Sequence, residues 1–289
     1  MADLLPRSSD SPERTPDRPI ERLTRPFRVY ALLAWTWSRA LAQYPASLAL
    51  MTLGTSLGAV AEIFAVFVVF RHAGALDGFS LVEGLLIASL ANLVFATADM
   101  LMGMVEGLGQ HIRGGSLDVM LVRPVSPLIQ IATDRFALRR LGRVVPAAVV
   151  AGVALYLCDI AWTPGKVVML PVLLVSGVAI AAAVWTASGC LQFFVADARE
   201  AANSLTYGGQ ALTEYPLSIY GKGVVLAVTF AVPLAFIGWQ PVLYLLDRPD
   251  PTGLPDLLRY APPFVAALSC AAAALLWRLG LRHYRSTGS

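Results

Sequence analysis

The chain reads as an all-α integral membrane protein, and three observations predict that fold class. Charged residues are 14% and hydrophobic residues 57% of its 289 positions, and the mean hydropathy is +0.65; a water-soluble domain carries about a quarter charged residues. Six nearly charge-free apolar runs occupy 46–70, 83–104, 144–160, 167–195, 219–246 and 262–279, against the roughly 20 residues a helix needs to cross the hydrocarbon core. Lys and Arg gather between alternate runs. With the N-terminus inside, only Arg71, Lys166, Arg248 and Arg259 fall on the far side, so six crossings with both ends cytoplasmic satisfy the positive-inside bias. The net charge of +3 therefore bears on topology and anionic lipid and gives no reason to invoke nucleic acid.

Residues 1–26 are rich in Pro, Ser, Arg and Asp and hold no apolar core long enough for a cleavable signal, so they read as a disordered cytoplasmic tail. Over 27–45, Arg28, Thr36, Arg39 and Gln43 fall in one sector at about 100° per residue. That spacing predicts an amphipathic helix in the inner headgroup layer, with Trp35 and Trp37 at the interface and a bend at Pro45. The other reading is that it simply begins the first crossing. The six-span domain covers 46–282, and a short cytoplasmic tail, 283–289, follows.

After the second run the chain leaves the membrane through Glu106, Gly107, Gly109 and His111 into a cytoplasmic loop, 106–142. Gly114-Gly115 makes a turn, Ser116 caps a short helix with Asp118 in its first turn, and Arg123-Pro124 stops it. Ser126-Pro127 then starts a second helix that runs to Leu141, with Arg135, Arg139, Arg140 and Arg143 at its membrane end beside anionic headgroups. From the residues alone, the loop is either a surface to be pushed on or a solvated connector that fixes topology. The fifth run exceeds a spanning length and contains Pro233 and Pro241, which predicts a true span from about 219 to 236 and an element over 240–246 re-entering from the outer face. Gly54 with Gly58, and Gly103 with Gly107, have the small-xxx-small spacing of close helix contacts.

Motifs for catalysis are missing. There is no GxxxxGK[ST] phosphate loop, no HExxH and no GxSxG elbow; His72, His111 and His283 are scattered, and Cys158, Cys190 and Cys270 lack metal-ligand spacing. No catalytic residue, metal site or cofactor is expected in this chain. Glu62 is the one ionisable group deep in a run, where a charge costs about 2.5–3.5 kcal/mol on insertion scales. It is either a neutral acid bonded to a neighbouring helix or, with Asn92, part of a path for a cationic or polar substrate. Asp99 lies near the inner end of its run and is expected to reach headgroup water. Asn92 and Gln192 also suit interhelical hydrogen bonds.

Gly115-Ser116-Leu117-Asp118 followed by Leu121-Val122-Arg123-Pro124-Val125 resembles the G-x-L-D-x-x-L-x-R-P signature of a bacterial subfamily of permeases of type-2 ATP-binding cassette exporters. Tyr215-Pro216, Ile219-Tyr220, Pro233 and Pro241 are similar to that subfamily's downstream pattern. The resemblance implies that the loop is a coupling helix seated on a separate ATPase, present in two copies and carrying ATP and Mg. Gly115, Leu117, Asp118, Leu121, Arg123 and Pro124 would make the contacts, and the interfacial helix would brace the ATPase through Arg28 and Arg39. It also implies a second permease, identical or related, and export of a hydrophobic or amphiphilic small molecule (a drug, natural product or lipid-like compound) across a bacterial plasma membrane. The rival reading is a partner-free multi-pass protein, a secondary transporter or scaffold.

Overall fold

The structure, a computed structural model, describes residues 19–134, 136, 138–195 and 198–285. The predicted tail before residue 19, Arg135 and the last four residues lie outside them. The described residues form helices and connections, with no strand beyond one Leu76–Phe79 bridge.

Helix α1 (Pro19–Ala42) starts eight residues before the expected 27 and continues through Pro26. Pro19 is its first residue, where a missing N–H removes no helical bond. A break at Tyr44 separates it from α2 (Pro45–Ala73), with Pro45 at the new N-terminus. The Tyr30 hydroxyl donates to the Leu101 carbonyl at 2.8 Å, and its ring meets Phe136 edge-on at 6.4 Å. Helix α1 is thus a separate element docked on the bundle, with Phe27, Leu32 and Trp35 exposed.

Helix α3 (Leu81–Met102) opens with a capping box, Ser80 accepting from the Glu83 N–H while the Glu83 carboxylate accepts from that of Ser80. It continues through a 3-10 segment (Gly103–Gly107) into α4 (Leu108–Arg113), a course of 33 residues. Short helices α5 (Ser116–Leu121) and α6 (Pro127–Thr133) follow. The second loop helix therefore ends at Thr133 and does not reach Leu141. The chain re-forms helix only as a 3-10 turn, Leu138–Arg140, that leads into α7 (Leu141–Leu157). Arg140, in that turn, points into the bundle, 3.4 Å from Asp99.

Helix α8 (Pro164–Cys190) and the last helix, Pro262–His283, pack along each other. Between them lies the largest departure from expectation. After α8 and a 3-10 turn, Leu191–Phe193, come α9 (Arg199–Asn203), a π-helical turn Ser204–Gly208, and α10 (Gly209–Thr213). The run expected as a span over about 219–236 with a re-entrant element over 240–246 forms two limbs, Lys222–Ala231 (beginning with α11, Lys222–Leu226) and Leu234–Leu245 (ending in α12, Trp239–Leu245), bent by 79°. The last helix is α13.

A ten-residue limb reaches only about 15 Å, half the hydrocarbon thickness, so no true span runs from 219 to 236. The ladder stops at Val232, which is extended, and at Pro233, which has no N–H. Phe193 packs on Trp277 near the end of α13, whereas Lys166 at the start of α8 donates to the Leu245 carbonyl at 2.7 Å. One net crossing therefore lies between 195 and 245, where the bent pair is a broken span or a re-entrant element.

Helix α3 is the hub: 67% of its spanning window is buried, against 22% for α2. Lipid tails are as apolar as leucine, so close packing rather than water exclusion holds such helices together. The buried side of α3 accordingly carries Gly84, Ala88, Ala91 and Ala98.

Candidate functional site

Two groups of residues carry chemistry, one on the basic loop and one inside the bundle. On the loop, Gly115 adopts φ +67°, the left-handed region glycine favours, and is the N-cap of α5 in place of the expected Ser116. The Ser116 hydroxyl instead lies 2.9 Å from His111 Nδ1. Leu117 is fully buried in a small core with Val105, Leu108, Ile131 and Trp277, so it anchors α5 to the bundle. Asp118 accepts from the Tyr284 hydroxyl at 3.0 Å, which ties α5 to the end of α13. Burial, then the bond to Asp118 and its charge, push the Tyr284 phenol above its usual range.

The outward side of α5 is apolar. Val122 is 84% exposed and Val119 52%, with Leu121, Arg123 and Pro124 exposed beside them. Buried Gln130 holds this surface from below, its amide donating to the Met120 and Val125 carbonyls at 2.9 and 2.8 Å. Of the expected contact residues, Leu121, Arg123 and Pro124 face outward, while Gly115 and Leu117 shape and anchor the turn. Val119, Val122 and Gln130 were missed, although the i, i+3 spacing of the two valines opposite Leu117 signals a second apolar face. Arg28 and Arg39 are exposed on α1.

Inside the bundle, Asp99 does not reach headgroup water. Its side chain is 5% exposed and lies 3.4 Å from Arg140 Nε and 3.8 Å from Arg143 Nη1. Arg140 also donates to the Asp99 carbonyl at 2.6 Å. These two arginines, expected at the headgroups, turn inward, because α7 begins beside Asp99 rather than at the end of a long loop helix. Gly103 is required here, since a Cβ would collide with the Asp99 carboxylate and the Arg140 guanidinium.

Arg143 extends the group, with Nη2 3.5 Å from Glu62 Oε2 and 3.4 Å from Gln210 Oε1. Gln210 donates to Asn92 at 2.6 Å. Four segments, α2, α3, α7 and α10, are thereby joined through one guanidinium. Glu62 is not isolated: its carboxylate lies beside the Arg143 guanidinium, with 43% of its side chain exposed. Asn92 is buried, and the crevice between it, Glu62 and Arg143 has no water-sized space. Gln192 accepts from the Gly109 N–H at 2.9 Å and donates to the Glu106 carbonyl at 3.1 Å, locking α3 to the foot of α8. A Cβ at Gly54 or Gly58 would meet nothing within 4 Å among the described residues.

Among the described residues no cluster of His, Cys, Asp and Glu is arranged to hold a metal, and the three cysteines are free. Residues 57–288 match the family model for the ABC-2 family transporter protein. No curated protein and no solved structure matches the chain.

Proposed function

The chain belongs to the ABC-2 family of transporter proteins, and on that premise we propose that it is the permease subunit of an exporter driven by a separate cytoplasmic ATPase. As a member of that family it is a multi-pass membrane permease and not itself the catalyst. The reading proposed beyond this places the basic loop in the cytoplasm of a bacterium, with α5 seated on the ATPase, two ATPase copies carrying ATP and Mg, and a second permease completing the path. The cargo is a hydrophobic or amphiphilic small molecule.

One observation supports this reading most: α5 is apolar on both sides. Its inner side, Leu117, is locked into the bundle, and its outer side, Val119 and Val122, stands in solvent. An exposed apolar strip on an otherwise basic loop suits a protein partner, and the rigid anchor lets a push reach the crossings. Asp118 and Tyr284 pass it to α13, and the Asp99–Arg140 pair passes it to α7.

Affinity purification in mild detergent tests the proposal. The wild-type chain is expected to recover a nucleotide-binding subunit in stoichiometric amount. Val122→Asp and Arg123→Glu, both at exposed positions that leave the fold intact, are expected to lose it. Purification of a stable lone chain that transports without ATP would establish the partner-free alternative.

A further inference from the structure

Of Arg139, Arg140 and Arg143, all expected at the headgroups, two turn into the bundle to Asp99. Arg139 is exposed, and among the described residues no carboxylate pairs with it. Its place is nevertheless fixed. The Thr55 hydroxyl donates to the Arg139 carbonyl at 2.9 Å, and a Cβ on Gly142 would collide with Thr52 and Thr55 of α2. The turn 138–140 is therefore seated directly on α2. There Arg139 lines a crevice of about 120 Å³ with Leu41 of α1, Tyr44 of the break, and Ser47, Leu48 and Met51 of α2. Leu41 and Leu48 are half-buried, while Tyr44, Ser47 and Arg139 stand exposed.

Depth and charge decide what fills it. Helix α2 has 29 residues, about 43 Å at about 1.5 Å per residue, and so outruns a hydrocarbon layer of roughly 30 Å. Its first turns, on the side of the basic loop, lie where headgroups meet hydrocarbon. A guanidinium at that boundary calls for an anion, and this part of the chain supplies none. There is no Asp or Glu from 22 to 61, and α2 has no acidic residue in its first turn. A water-soluble partner does not reach Leu48 and Met51, which belong to the first apolar run. The anion that a bilayer holds at this depth is a phospholipid phosphate. The guanidinium fork matches its oxygens, the Tyr44 and Ser47 hydroxyls are further donors, and Leu41, Leu48 and Met51 suit the ester and first methylenes of the same molecule. Uncompensated positive charge favours a headgroup that carries no cation of its own.

We propose that this crevice binds one anionic phospholipid from the leaflet on the side of the basic loop, with Arg139 on its phosphate, and that the lipid braces the elbow between α1 and α2. The site uses neither α5 nor any nucleotide, so it stands apart from the ATPase reading.

The test is photolabelling of the full chain in phosphatidylcholine nanodiscs doped with a phosphatidylglycerol that carries a diazirine at the start of one acyl chain, followed by peptide mapping. A phosphatidylcholine with the same diazirine is the reference probe. On peptides covering 41–51 and 138–143, the anionic probe is expected to label at least several-fold more than the reference, with equal labelling of α13 by the two. Arg139→Gln is expected to erase that preference and Arg139→Lys to keep most of it. Ser47→Trp, which fills the crevice and leaves the charge, is expected to cut labelling by the anionic probe at least several-fold. Unchanged labelling of α13 and an unchanged denaturation midpoint report intact folding of each variant. Equal labelling by the two probes in the wild-type chain overturns the proposal. So does a preference that survives Arg139→Gln or Ser47→Trp, labelling abolished by inorganic phosphate, which would assign the site to the free anion, or labelling lost when partner chains assemble, which would assign Arg139 to one of them.

Discussion

At the scale of single residues, the pairing of Asp99 with Arg140 decides the most. Both side chains are at most 10% exposed, and taking two charges out of water is repaid only while each keeps its partner. Asp99→Ala leaves Arg140 buried beside one carbonyl and is expected to cost about 3–5 kcal/mol, read as a lowered denaturation midpoint of the purified chain. Pairing that change with Arg140→Met removes the stranded charge and should recover much of the loss. A single-variant cost under about 1 kcal/mol, typical of an exposed pair, would show that the pair is solvated. Glu62 was legible in the sequence because a lone carboxylate in an apolar run is conspicuous. The role of Asp99 was not, since its partner lies 41 positions on and only the early start of α7 brings them together.

At the scale of elements, legibility follows how local the determining interactions are. Helix α5 could be bounded from sequence because glycines before it and Arg123-Pro124 after it act within a few residues. The end of α6 could not, because the pairing of Arg140 with Asp99 joins segments far apart in sequence, whereas Pro233 marked the break in the fifth run but not the lengths of its two limbs. Helix α5 itself depends on Tyr284. Tyr284→Phe removes one bond to a carboxylate and is expected to cost about 1.5 kcal/mol while leaving α5 anchored by Leu117. With the phenol pKa raised by burial and by Asp118 above the usual 10.0, the folded state favours the protonated hydroxyl. The wild-type advantage over Tyr284→Phe is thus complete below pH 10 and is lost as pH rises beyond it. Thermal denaturation of both proteins across pH 6 to 11 checks this, and an advantage that instead fell between pH 6 and 8 would assign the bond to another titrating group.

For the whole molecule, three of the four basic residues that break the positive-inside pattern are paired. Lys166 lies 2.6 Å from Asp247, Arg248 lies 3.1 Å from Glu83, and Arg259 pairs with Asp256. Each of these cations is paired on the face opposite the basic loop. Arg248 also donates to the Gly78 carbonyl at 2.9 Å and lies over the Phe79 ring, so the end of α12 is clasped to the start of α3 and the start of α8. The clasp fixes that end of the bent pair, and Lys166→Asp alone should free it, whereas Lys166→Asp with Asp247→Lys should recover only part of the loss in denaturation midpoint, because the bond to the Leu245 carbonyl stays broken. Orientation gives the sharpest check. In a chain whose native cysteines are replaced by serine, Cys at Leu257, 77% exposed on the far face, should react with an impermeant maleimide added to intact cells. Cys at Val122 should react only after the membrane is opened. Labelling of Val122→Cys from outside would turn the basic loop away from the cytoplasm, and no cytoplasmic ATPase could then reach α5, however well the strip of Val119 and Val122 suited one.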